Sequence, residues 1–96
     1  MFVVILKFSK NKALAGQFME AHKQWIQRGL DDGIFLLVGS LRPEGGGAVL
    51  AHQVSRSEIE DRVSQDPFVA EDVVTADLLE IEPARVDNRL QFLLDG

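Results

Sequence analysis

The segment Phe2-Val3-Val4-Ile5-Leu6, with Phe8 just past Lys7, constrains this chain more than any other stretch. It is short and rich in β-branched, aliphatic and aromatic residues, which predicts strand rather than helix. A strand with one wet face alternates apolar and polar residues. This one offers Val3 and Ile5 to one side and Phe2, Val4 and Leu6 to the other. It is therefore predicted to be a central strand covered twice. A chain of 96 residues has few elements to do the covering. The mismatch predicts self-association.

That length makes one domain, taken as residues 1–96, with a tail from about residue 84. An apolar content of 46% with 26% charged residues is that of a globular chain, not a disordered one. With no cysteine, disulfides, thiolate catalysis and cysteine-held zinc are excluded. The net charge of −5 argues against a phosphate-backbone partner, which needs a basic face. Lys7, Lys10 and Lys12 read as a solvated strand end. The first apolar run is too short to span a membrane, and no leader pattern precedes it. The expectation is a cytoplasmic protein with no nucleic-acid or membrane partner.

After a polar break at Ser9–Lys12, the spacing of Leu14, Phe18, Ala21 and Trp25 predicts a helix from about Ala13 to Asp31. Ser9 or Asn11 is its expected cap. Gly29 and Gly33 bracket its end, with Gly33 the expected terminator. Strands are predicted at Ile34–Val38, with Leu41 as the furthest end, and at Ala48–Val54, joined as a hairpin by a loop ending in Gly45-Gly46-Gly47. Ser55 with Glu58 three residues on is a capping box, and Val54 with Ile59 its hydrophobic staple. The helix so started stops near Gln65, because Pro67 disfavours helical geometry at Asp66. Asp66 then caps a short turn opened by Pro67. Thr75–Glu82 is the last strand, and the apolar tail (Val86, Leu90, Phe92, Leu93, Leu94) needs a surface.

The order strand, helix, strand, strand, helix, strand predicts a ferredoxin-like α+β sandwich with a four-stranded antiparallel sheet. Its two main helices cover one sheet face only. A second copy about a two-fold axis, packed sheet to sheet, is the economical cover for the other.

His22 lies about 40–60° from the centre of the Phe18–Trp25 face, at the edge of the apolar surface. Such a histidine serves either in acid–base work or in packing against a carbonyl. Asp66 is its natural partner, since a carboxylate bonded to an imidazole fixes its tautomer. A cap before proline explains Asp66 equally well. Both roles are compatible only if one carboxylate oxygen is spare. Gly39-Ser40, closing the second strand, offers a hydroxyl and a backbone N–H, or is simply a strand end. The triple glycine leads into a strand and carries no lysine, so it is no phosphate loop; it reads as a flexible loop of a kind that can also gate a cleft. His52 has no partner at ligand spacing. No metal or cofactor is expected, although His22, Asp66 and a further carboxylate could assemble a metal site. Glu58, Glu60 and Asp61 form a solvated helix face.

Taken together, Phe2-Val3-Val4, Ala21-His22 with Trp25, Gly33, Gly39-Ser40 and Asp66-Pro67-Phe68 resemble a YciI-like (YCII-related) domain from Met1 to about Arg85. Ser40 stands where that family often has proline, and the tail lies outside the resemblance. The resemblance implies dimers of the dimeric α+β barrel kind, with His22 and Asp66 matching the family's His–Asp pair. It also implies cofactor-independent chemistry, in some members on small chlorinated or hydroxylated rings.

The sequence thus predicts a small cofactor-free enzyme acting by elimination, isomerisation or hydrolysis. His22 is the acid or base, Asp66 its orienting partner and Ser40 a substrate-positioning group. Phe18, Trp25, Gly39 and Phe68 are the expected walls for a small planar substrate. The rival expectations are a non-enzymatic, metabolite-binding homodimer and a purely structural His–Asp bond.

Overall fold

A computed structural model describes residues 1–95. Strand β1 (Phe2–Phe8) alternates as a covered strand should: Phe2, Val4 and Leu6 are buried, while Val3 and Ile5 are half-buried. A 3₁₀ turn at Lys12–Leu14 leads into helix α1 (Ala15–Asp31). Then come β2 (Phe35–Ser40), β3 (Gly47–Ala51), α2 (Arg56–Ser64), α3 (Pro67–Ala70) and β4 (Val74–Glu80). The sheet order is β2-β3-β1-β4, every neighbour antiparallel. This is the ferredoxin-like βαββαβ arrangement, with β1 central as its two-sided apolar run requires.

The core lies between the sheet and the helices. Phe2, Val4 and Leu6 meet Trp25 of α1, Ile59 and Val63 of α2, and Phe68 of α3. Trp25 is fully buried, and its indole N–H donates to the Arg62 carbonyl at 2.8 Å, tying α1 to α2. Gly33 and Gly29 bracket the end of α1 as expected, and Gly29, in its last turn, is buried. A Cβ there would run into the Phe35 ring, so the missing side chain lets the helix approach β2. Gly33, with φ +73°, turns the chain out of α1 as expected.

The capping box is present: the Ser55 oxygen accepts from the Glu58 N–H at 3.1 Å, and the Glu58 carboxylate accepts from the Ser55 N–H at 2.9 Å. The expected cap of α1 is not. Neither Ser9 nor Asn11 caps it; Asn11 instead donates its amide to the Glu71 carbonyl at 2.9 Å. Strand β3 also ends earlier than predicted, because Gln53 adopts φ +58° and bends the chain into α2.

The core helices α1, α2 and α3 leave the sheet's second face uncovered. In register, Leu37, Leu50, Val3 and Leu79 form a row across all four strands. Leu37 and Leu79 at its two ends are 53% and 55% exposed. After β4 the tail forms a 3₁₀ turn (Asn88–Leu90) and a final turn α4 (Phe92–Asp95), with the Phe92 ring edge-on to His52 at 5.6 Å. Among the described residues, no helix is long and apolar enough to cross a membrane.

Candidate functional site

Asp66 is fully buried, the one buried charged side chain among the described residues. It is the cap of α3, with Pro67 at the first helical position, and its Oδ1 accepts the Phe68 N–H at 3.0 Å. The same oxygen lies 2.7 Å from Nδ1 of His22, delivered from the middle of α1. A carboxylate only accepts, so Nδ1 carries the hydrogen and donates it. In the neutral ring Nε2 is then the acceptor. Asp66 therefore makes both the bond to His22 and the capping bond, and does so through one oxygen. Its Oδ2, also buried, has no hydrogen-bond partner among the described residues.

The imidazole is held by more than this bond. Its plane lies parallel to the Phe68 ring, 1° apart in angle with centroids 4.0 Å apart, and Trp25 stacks more distantly at 5.9 Å. One hydrogen bond and one stacked ring fix both the direction and the tilt of the imidazole. The side chain is only 12% exposed.

Beside it opens a cavity of about 380 Å³, at the small end of the range for small-molecule sites. His22, Phe68, Gly39 and Ser40 line it, as the sequence led us to expect. Ser40 and Gly39 come from the end of β2, and His22 from α1. Two expected walls are corrected. Trp25 lies in the core behind His22, drawn inward by its bond to Arg62, and does not line the cavity. Phe18 packs half-buried against the core and does not line it either. Asp66 acts from behind the imidazole and is likewise outside the lining.

Sequence reasoning missed Met19, Lys23 and Ile26 of α1 and Phe8 of β1. A signal for two of them was available. Met19 and Ile26 stand three before and four after His22, which is one helical stripe. The glycine loop does border the cavity, through Gly46 and Gly47. Gly46 is required there: its φ is +86°, and a Cβ would strike the Leu6 carbonyl. His52 stands apart; its Nε2 donates to the Gly33 carbonyl at 2.9 Å. Among the described residues, no three His, Asp or Glu side chains cluster closely enough to hold a metal ion.

Fold and site together define a ferredoxin-like α+β protein with a histidine–carboxylate pair beside a cavity of small-molecule size. Its structure is similar to that of 5-chloro-2-hydroxyhydroquinone dehydrochlorinase (TftG) from Burkholderia phenoliruptrix AC1100, solved in complex with 2,5-dihydroxybenzoquinone. The TM-score is 0.68 at 12% identity, covering 88% of this chain and 96% of the other. No protein-family profile and no curated protein sequence matches the chain.

Proposed function

We propose that this chain is a small, cofactor-independent enzyme of the YciI-like kind that moves a proton on a small metabolite, with ring compounds the favoured class. The observation that carries this reading is the double attachment of His22. One ring nitrogen is engaged by the buried Asp66, and the ring itself forms part of the wall of a 380 Å³ cavity. A merely structural pair has no need of the cavity.

In this reading His22 Nε2 takes a proton from the substrate, and Asp66 holds the imidazole in one tautomer and faces the positive charge it acquires. Ser40 positions a substrate oxygen. Phe68, already parallel to the imidazole, continues as an apolar wall for a flat ring. Loss of a leaving group with its bonding electron pair completes an elimination; return of the proton to another atom completes an isomerisation. The similarity in fold to a dehydrochlorinase favours elimination.

The enzyme is further proposed to be a cytoplasmic homodimer, its bare sheet faces packed together and its tail bracing the pair. The exposed Leu37 to Leu79 row supports the dimer, and the absence of cysteine suits a reducing compartment.

The test is chloride release from chlorinated hydroquinones, including 5-chloro-2-hydroxyhydroquinone, by wild type and His22→Ala. Turnover by wild type, reduced about 10²- to 10⁴-fold in the variant, is expected. Tight binding across such a panel with no turnover would make the protein a metabolite binder instead.

A further inference from the structure

The chain carries 15 Asp and Glu against 10 Lys and Arg, yet among the described residues no carboxylate lines the cavity. The charged or chargeable groups that do line it are basic: His22 and, next in sequence, Lys23. Lys23 is exposed, so it stands on the cavity's open side. The three other lysines and three of the arginines have visible occupations. Lys7, Lys10, Arg56, Arg62 and Arg89 pair with carboxylates, and Lys12 lies over the Phe8 ring at 4.8 Å. Lys23 forms no ion pair among the described residues, and it is the cavity's sole lysine or arginine. A long side chain of this kind lays its methylenes along an apolar wall and keeps its ammonium at the water boundary.

An acidic protein that clears carboxylates from one apolar cavity and leaves an unpaired ammonium at its rim selects ligands by charge. We propose that Lys23 is a specificity-determining residue that pairs with a negatively charged oxygen (a carboxylate or an ionised ring hydroxyl) on the molecule the cavity holds. The inference rests on the cavity being the binding site, as proposed above. It adds the sign of the ligand's charge and the residue that reads it. With Ser40 on β2 and Lys23 on α1, the pairing would hold one edge of a flat ring at the mouth and turn another edge toward His22.

The probe is 2,5-dihydroxybenzoquinone, each hydroxyl of which is a vinylogous acid and is ionised at neutral pH. Its neutral dimethyl analogue has nearly the same shape. Equilibrium dialysis of both is run on wild type, Lys23→Gln and Lys23→Arg, all expected to fold because position 23 is exposed. Lys23→Gln is expected to weaken the anion about five- to tenfold, leave the neutral analogue unchanged and flatten the salt dependence; Lys23→Arg is expected to stay within about twofold of wild type. A change of less than about twofold for the anion in Lys23→Gln, or an equal loss for both probes, overturns the proposal. The two readings separate on the neutral analogue. If wild type binds it while Lys23→Gln spares the anion, the cavity is a binding site and charge selection is wrong. If wild type binds neither probe, both readings fall.

Discussion

His22 Nδ1 is 2.7 Å from Asp66 Oδ1, and that oxygen is simultaneously the cap of α3. The orientation of the imidazole is therefore tied to backbone. A carboxylate at the end of a free side chain could swing; this one is fixed by the Phe68 N–H, in the peptide that begins a helix. The same local segment supplies the Phe68 ring on which the imidazole stacks. One Asp-Pro-Phe tripeptide thus sets direction, tautomer and tilt.

Asp66→Asn tests that arrangement. The amide keeps the shape but brings two N–H donors into a pocket where Oδ2 already lacks a partner. Whichever way it turns, a buried donor is stranded or the imidazole tautomer is reversed. The expected loss of stability is about 1–3 kcal/mol in urea unfolding. Turnover should fall by about 10²- to 10⁴-fold with little change in KM, since Asp66 does not line the cavity. An unchanged kcat in the folded variant would remove Asp66 from the mechanism.

His22→Gln separates catalysis from architecture. It removes the ring that donates to a buried carboxylate, which is expected to cost about 1–3 kcal/mol. If the pair were structural only, turnover measured well below the variant's Tm would match wild type. The expected result is a loss of about 10²-fold or more under those conditions.

Much of this was legible in the sequence wherever the signal is local. Phe2–Leu6 reads as a covered strand, Ser55 with Glu58 as a helix start and Asp66-Pro67 as the cap of a turn, and all three form. Even His22 was placed correctly at the edge of its apolar face, because helical period fixes angle. Period does not fix depth, and that is why Trp25 and Phe18 were misread as cavity walls. The depth of Trp25 depends on a bond to Arg62, 37 residues away. Gly29 was placed correctly beside the helix end, but why it must be glycine was not legible, because the ring it makes room for belongs to Phe35, in the following strand. The bend at Gln53 had no signal at all, since glutamine does not advertise a positive φ.

Two glycines at the cavity make a matched pair of tests. Gly46→Ala introduces a Cβ against the Leu6 carbonyl at a φ of +86°. It is expected to cost about 1–3 kcal/mol and to weaken ligand binding, because the loop must move to relieve the clash. Gly39→Ala has nothing within 4 Å of the new Cβ. Its thermal unfolding should match wild type or rise slightly.

The capping box predicts a pH dependence confined to one helix start. The Ser55 backbone N–H first, and its hydroxyl second, hold the Glu58 carboxyl below its ordinary value of 4.5. A depressed folded value means that the stabilisation is complete above the unfolded value and lost as pH falls through the folded one. Glu58→Gln should therefore be less stable than wild type at neutral pH, with the difference shrinking below about pH 4.5. Urea midpoints of both proteins between about pH 7 and about pH 3 give the check; a constant difference would refute the linkage.

The proposed sheet-to-sheet dimer makes a sharper demand. The row Leu37, Leu50, Val3 and Leu79 crosses the whole bare face, and beside it Lys7 and Asp77 lie 3.9 Å apart. A two-fold axis sets a patch against itself, so a patch carrying both signs of charge meets its own copy without repulsion. A stable pairing needs roughly 800 Å² from each partner, and a four-stranded face offers area of that order. Introducing Leu37→Glu with Leu79→Glu places like charges opposite one another at both ends of the row. Light scattering is expected to give about twice 10.7 kDa for wild type and 10.7 kDa for the double variant. The variant should remain folded as a monomer, because neither leucine belongs to the core between sheet and helices. A wild type that scatters as a 10.7 kDa particle at working concentration would end the dimer, and the exposed leucines would need another cover.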